Sequence, residues 1–277
     1  MPLRILLAAS ETPDQQAARR ERTGQASHET YADTLRRLAP GCALDHADAL
    51  DGDAWTADRL RGFDGVVFPG SPIQMYEDTP DTRAAAAFMA RVFAAGVPSF
   101  GSCAGLQIAA VAAGGTVGPR EGPMEAGVVR GVVRADAGRG HALLEGRPDT
   151  WDAPAMHATI VTAMPEGGTV LARAGGTPVE AAEIRQGGGT FWGVQYHPEI
   201  ALGEIALTLR AQADGLVEEG LARDGDDVDR YADKLRDLDR DPSRRDLAWQ
   251  TGLGAEVTDP DRRTTEIQNA LTWFAGR

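Results

Sequence analysis

The stretch Val97-Pro-Ser-Phe-Gly-Ser-Cys-Ala-Gly-Leu-Gln107 decides how the rest of the chain is read. Residues 97–101 have the composition of a short buried strand, and residues 106–113 that of the apolar body of a helix, so Cys103 falls on the turn between them. A turn of that kind exposes a nucleophile at the end of a sheet, here a cysteine where a serine is commoner. Gly101 and Gly105 bracket it because a side chain at either place hinders a tight crossing of strand and helix. A thiol at a helix N-terminus also feels the positive end of the helix dipole, which favours the thiolate. A cysteine that merely packs in a core needs neither glycine.

The second informative stretch is Gly193-Val-Gln-Tyr-His-Pro-Glu199. In an extended segment residues i and i+2 point to the same side, so the Glu199 carboxylate reaches the His197 imidazole while Pro198 stiffens the link. A carboxylate there fixes the tautomer and supports the imidazolium that forms during catalysis. Cys103, His197 and Glu199 thus supply a nucleophile, a base and a group that orients the base.

The 277 residues suit one domain of about 200 residues with an appendage. A net charge of -13 without a basic patch argues against nucleic acid or an anionic membrane as partner. Of 28 basic residues only Lys234 is a lysine, and it lies far from any glycine-rich loop, so no phosphate-cradling ATP site is expected. Two cysteines, Cys42 and Cys103, fit a reducing compartment. The apolar run at residues 3–9 is too short to span a bilayer and reads as a first core strand, so a cytoplasmic location is expected. Histidines at 28, 46, 141, 157 and 197 are scattered without close pairing, and no metal site is expected.

Strand-like runs at 3–9, 43–48, 64–68 and 97–101 alternate with helical patterns at 31–38 and 82–95, the signature of an α/β fold with an open, mostly parallel sheet flanked by helices. Glycine- and proline-broken β segments from 115 to 135, clearest at 127–133, predict a small antiparallel insertion beside that sheet. Further strands are expected at 169–173, 179–185 and 190–195, the last delivering His197 at the edge where open α/β sheets bind ligands. Residues 201–218 read as a closing helix, completing a domain of residues 1–218. From 219 to 277 the chain is dense in Asp and Arg, with Val228, Tyr231, Leu235 and Leu238 on one helical stripe. Asp259-Pro260 then starts a helix carrying Ile267, Leu271 and Phe274 on one face. This C-terminal helical extension either lies on the parent domain or offers a docking surface.

On these residues the chain resembles the class I, triad-type glutamine amidotransferases, especially the glutaminase domain of GMP synthetase and its stand-alone relatives, over about residues 3–210. The family pattern Gly-x-Cys-x-Gly-x-Gln is met by Gly101, Cys103, Gly105 and Gln107, and its His-Pro-Glu by His197, Pro198 and Glu199. Val66-Val-Phe-Pro-Gly70-Ser71-Pro72 looks like the family's oxyanion loop. The resemblance implies that the backbone N–H of Ser71, or of Gly70, joins that of Ala104 in holding an oxyanion. It also implies that Gln107, one turn beyond Cys103, touches the amino-acid end of the substrate. Ala155-Met156-His157-Ala158-Thr159 resembles the Ser-His-Gly-Asp segment that lines the family's glutamine pocket, with Met156 in place of a small polar residue and Ala158 in place of glycine. A lost hydroxyl and an added β-carbon there alter recognition of the α-carboxylate.

The expected function is therefore hydrolysis of the γ-amide of glutamine through a γ-glutamyl thioester, without metal or organic cofactor. Because no ATP-pyrophosphatase loop follows residue 210, the ammonia is expected to pass to a separate synthetase. The alternatives are a stand-alone hydrolase of γ-glutamyl amides or peptides, and a non-catalytic binding module.

Overall fold

Every residue of Gly65–Phe68 and of Ser99–Ser102 is buried, which a strand achieves only when both faces of its sheet are covered. The computed structural model describes residues 2–51 and 55–276. The first half runs β1 (Arg4–Ala9), α1 (Pro13–Thr23), α2 (Ser27–Leu38), β2 (Ala43–Asp48), α3 (Ala57–Leu60), β3 (Gly65–Phe68), α4 (Pro80–Ala95), β4 (Ser99–Ser102) and α5 (Ala104–Ala112). Strands β5 (Thr116–Pro119), β6 (Glu125–Arg134), β7 (Thr150–His157), β8 (Thr159–Ala163), β9 (Gly168–Ala174), β10 (Thr177–Gln186) and β11 (Gly189–Val194) follow. The chain closes with α6 (Leu202–Ala211), α7 (Ala213–Glu218), α8 (Gly225–Arg240), α9 (Arg245–Thr251), α10 (Ala255–Thr258), α11 (Pro260–Arg263) and α12 (Thr265–Ala275).

The α/β fold has one nine-stranded sheet in the order β2-β1-β3-β4-β11-β10-β9-β6-β7, and β5 and β8 form a small antiparallel pair apart from it. Pairing is parallel from β2 through β11 and antiparallel beyond. Strand β1 shows how the core divides: Leu6 and Ala8 enter one apolar cluster, while Ile5 and Leu7 enter another on the opposite face.

The structure differs from the sequence reading in several places. The segment around 127–133 is not beside the main sheet but continues it, as β6, and the separate antiparallel pair is β5–β8. Strand β7 was not expected. It carries Pro154, which is tolerated because β7 is the last strand of the sheet. Helix α1 was not expected either, although Thr12 and Gln15 form a capping box before it, with Pro13 in the first turn. The closing helix is broken at Gln212 into α6 and α7. The rings of His28 and His46, distant in sequence, lie 4.4 Å apart.

Residues beyond 218 are built into the core. Val228, Leu235 and Leu238 of α8 are buried against Ile205 and Leu209 of α6 in a third cluster. In α12 the Phe274 ring fills the space that a β-carbon on Gly65 would occupy, Trp273 stacks on Trp192 at 4.1 Å, and Glu266 forms a buried ion pair with Arg147 (2.6 Å). Among the described residues no helix is long and apolar enough to cross a membrane.

Candidate active site

The site begins at the crossing of β4 and α5. Cys103 has φ 51° and ψ −107°, and is the one non-glycine residue with positive φ among those described. Such backbone is held only where its surroundings over-determine it. Here the Cys103 N–H donates to the carbonyl of Val194 (2.8 Å), and the glycines on either side let the turn press against β3. A β-carbon at Gly105 would stand 2.5 Å from the Phe68 carbonyl oxygen, and one at Gly101 2.9 Å from the same atom. As the first residue of α5, Ala104 has an N–H for which the helix offers no acceptor.

Strand β11 lies beside β4, with Val194 opposite Ser102, so the chain leaving β11 passes next to the turn. The backbone N–H of His197 donates to the carbonyl of Pro154 (2.7 Å), which anchors this segment to the open edge of β7. Glu199 Oε1 accepts from His197 Nδ1 at 2.7 Å, leaving Nε2 for the Cys103 sulfur. Burial alone pushes the imidazole down; the Glu199 carboxylate and the Cys103 sulfur outweigh it and hold His197 at about 10. Gly70, on the loop after β3, lies under the ring. The neighbouring Ser71 hydroxyl accepts from Ser10 Oγ at 2.8 Å, which ties the loop to the end of β1.

A cavity of about 240 Å³ opens above Cys103. Its lining includes Gly70, Ser71, Gln107, Met156, His157 and Ala158, so the structure brings these expected residues together with Cys103 and His197. Glu199 stands behind the imidazole. The Gln107 amide already has partners within the protein: Nε2 donates to the Thr159 carbonyl (2.9 Å) and to Gln195 Oε1 (3.2 Å), and Oε1 accepts from the Thr159 hydroxyl (3.1 Å). It thereby fixes the strand that begins just after Ala158. His157 is buried, and burial, helped by His197 and Arg120 and opposed by the Thr159 backbone, pushes it down to about 3. It is a neutral ring.

Another part of the lining was not foreseen. It consists of Glu11, Arg19 and Arg22 from and before α1, and Ile205, Thr208 and Gln212 from and after α6. The capping box at Thr12 was the available signal, since it predicts a helix leaving the active-site end of β1. Arg19 is ion-paired with Glu204 of α6, which closes the two helices over the cavity. Two further residues behind the site were also missed, Ser102 and Tyr31, whose hydroxyls lead to Glu199.

The family model described as glutamine amidotransferase class-I matches residues 29–211. A γ-glutamyl-L-1-hydroxyisopropylamide hydrolase from Pseudomonas sp. is 34% identical over 221 residues, covering 79% of this chain and 75% of the relative. A glutamine-hydrolysing GMP synthase from Leifsonia xyli subsp. xyli is 37% identical over 142 residues, which is 49% of this chain and 26% of that protein. Among solved structures, a glutamine amidotransferase from Thermotoga maritima aligns over 100% of both chains with a TM-score of 0.68 at 14% identity, a likeness of fold.

Proposed function

The chain belongs to the class-I glutamine amidotransferase family, and from that premise we propose that it is a cysteine-dependent hydrolase of γ-glutamyl amides. The observation that carries the reading is the contribution of α1 and α6 to the cavity lining. Residues of α1 and α6 line the same cavity as Cys103 and His197, which gives a leaving group larger than ammonia surfaces to pack against. A hydrolase acting by itself on an amide larger than glutamine needs such surfaces. The Pseudomonas relative, matched over three quarters of its length, is named as such a hydrolase.

In the reaction the Cys103 thiolate attacks the γ-carbonyl carbon, and the N–H groups of Ala104 and of Ser71 or Gly70 receive the oxyanion. The His197 imidazolium gives its proton to the nitrogen as the C–N bond breaks, so the amine leaves and a γ-glutamyl thioester remains. Both changes remove charge from the pair. His197, now neutral and without a thiolate beside it, takes a proton from water, whose oxygen attacks the thioester. Glutamate departs, and the thiolate and imidazolium are restored. His157, Ala158 and Thr159 line the cavity and are the residues this reading assigns to the glutamyl portion, and Glu199 keeps Nδ1 of His197 protonated throughout.

A second reading, supply of ammonia from glutamine to a separate synthetase, draws support from the GMP synthase relatives, of which this chain spans about a quarter. Assay of the purified chain without ATP on glutamine and on γ-glutamyl alkylamides and peptides separates the two. The proposed hydrolase turns over at least one substituted amide faster than glutamine. Slow turnover of every substituted amide, with glutamine turnover that rises on adding a synthetase, favours the second reading.

A further inference from the structure

Behind the triad, on the side away from the cavity, Ser102 Oγ lies 3.2 Å from both carboxylate oxygens of Glu199. The Tyr31 hydroxyl donates to the same Ser102 Oγ at 2.7 Å. Tyr31 and Ser102 are fully buried. A serine hydroxyl has one hydrogen. When Tyr31 donates to it, that hydrogen is free to point at Glu199, and an ionised carboxylate can only accept. Direction therefore runs one way along the chain, from Tyr31 through Ser102 to Glu199, where it meets the donor His197 Nδ1. Burial, with the Glu199 charge beside it, pushes the Tyr31 phenol well above its ordinary range, so it stays a donor at any working pH.

We infer that Ser102 and Tyr31 are positioning residues that hold the Glu199 carboxylate, and through it the His197 ring, in line with Cys103. The inference rests on the triad reading above. A carboxylate fixed by the imidazole alone is free to swing about its own side chain; a second donor between its two oxygens removes that freedom, as outer-shell partners do for metal-bound histidines. The position of Tyr31 adds a link to the substrate. It lies on α2, whose first residue, Ser27, donates from its backbone N–H and its hydroxyl to the cavity-lining Glu11, both at 2.9 Å. Thr30, next to Tyr31, donates to Glu204 at 3.4 Å, the residue that pairs with the cavity-lining Arg19. One helix thus touches the wall of the cavity and the back of the triad. A buried Tyr–Ser pair that served packing alone would have no reason to converge on the catalytic carboxylate.

The test is a double-mutant cycle with Tyr31→Phe and Ser102→Ala, scored by kcat and KM on the best γ-glutamyl substrate and by the proton resonance of His197 Nδ1–H. Cys103→Ala serves as the control for the triad reading, since activity that survives it overturns that reading and not this inference alone. We expect Ser102→Ala to lower kcat about tenfold and Tyr31→Phe about threefold, with KM unchanged and the Nδ1–H resonance displaced in both. Because Tyr31 acts through Ser102, the double variant should be no slower than Ser102→Ala. A double variant slowed by the product of the two effects, about thirtyfold, overturns the chain of action, and so does an unmoved resonance with unchanged kcat. Should Ser102→Ala fail to fold, Tyr31→Phe, which removes a single oxygen, decides by its kcat and resonance.

Discussion

A β-carbon added to Gly70 would stand 2.6 Å from Cε1 of His197 and 3.3 Å from Nδ1. The loop after β3 and the His197 imidazole are packed against each other with no room for a methyl group between them.

Gly70→Ala should therefore displace the ring or the loop by a fraction of an ångström. Misplacement of that order lowers kcat/KM by about a hundredfold. The melting temperature should change little, because the site opens onto the cavity and the sheet beneath is untouched. Unaltered kcat/KM would show that the loop yields freely.

Cys103 is expected to be the sole site of covalent labelling by a glutamine-mimicking diazoketone. Cys42 is half-buried, its sulfur lies 3.9 Å from the Leu35 carbonyl oxygen, and burial pushes its thiol up from the ordinary value, which disfavours the thiolate. Peptide mapping after labelling checks this, and an adduct on Cys42 contradicts it.

The charge on His197 gives stability a pH dependence. Its folded pKa of about 10 lies above the ordinary 6.5, so the stabilisation is complete below about 6.5 and is lost as pH rises towards 10. Glu199→Gln removes the larger of the two charges that hold the proton. Urea midpoints at pH 7 and pH 9.5 should differ less in this variant than in the parent. Turnover should fall less than in His197→Ala, since an amide oxygen still contacts the imidazole. An unchanged pH slope together with unchanged turnover removes Glu199 from the triad.

The segment 156–158 should set the choice of substrate. Met156→Ser combined with Ala158→Gly is expected to shift the ratio of kcat/KM for glutamine over a γ-glutamyl peptide by about tenfold towards glutamine, on the order of one hydrogen bond of discrimination. A constant ratio would assign specificity to the α1 and α6 wall instead.

The parallel half of the sheet was legible because β1, β3 and β4 are apolar runs punctuated by glycine and proline, and the nucleophile turn because its two glycines have a steric purpose at that crossing. His197 and Glu199 were legible as neighbours two residues apart. The Ser102–Glu199 and Tyr31–Ser102 bonds were not, since they join residues 97 and 71 apart in sequence, and the first depends on β11 lying beside β4. Strand β7 was hidden by Pro154, which reads as a breaker until the strand is known to be an edge. Helix α1 was hidden for a different reason. It exposes most of its residues and has no fully buried ones, so hydrophobic periodicity, the usual signal, is missing.

Tyr196, the residue before His197, donates its hydroxyl to Glu266 at 2.7 Å, across 70 residues of sequence. Translation delivers the two in that order. A nascent chain thus carries its whole cavity lining before it has the carboxylate that anchors the base's neighbour, and thiol labelling of stalled and released chains can register the difference. The residue before the candidate base is thereby held by a helix that lies 70 residues further along the chain.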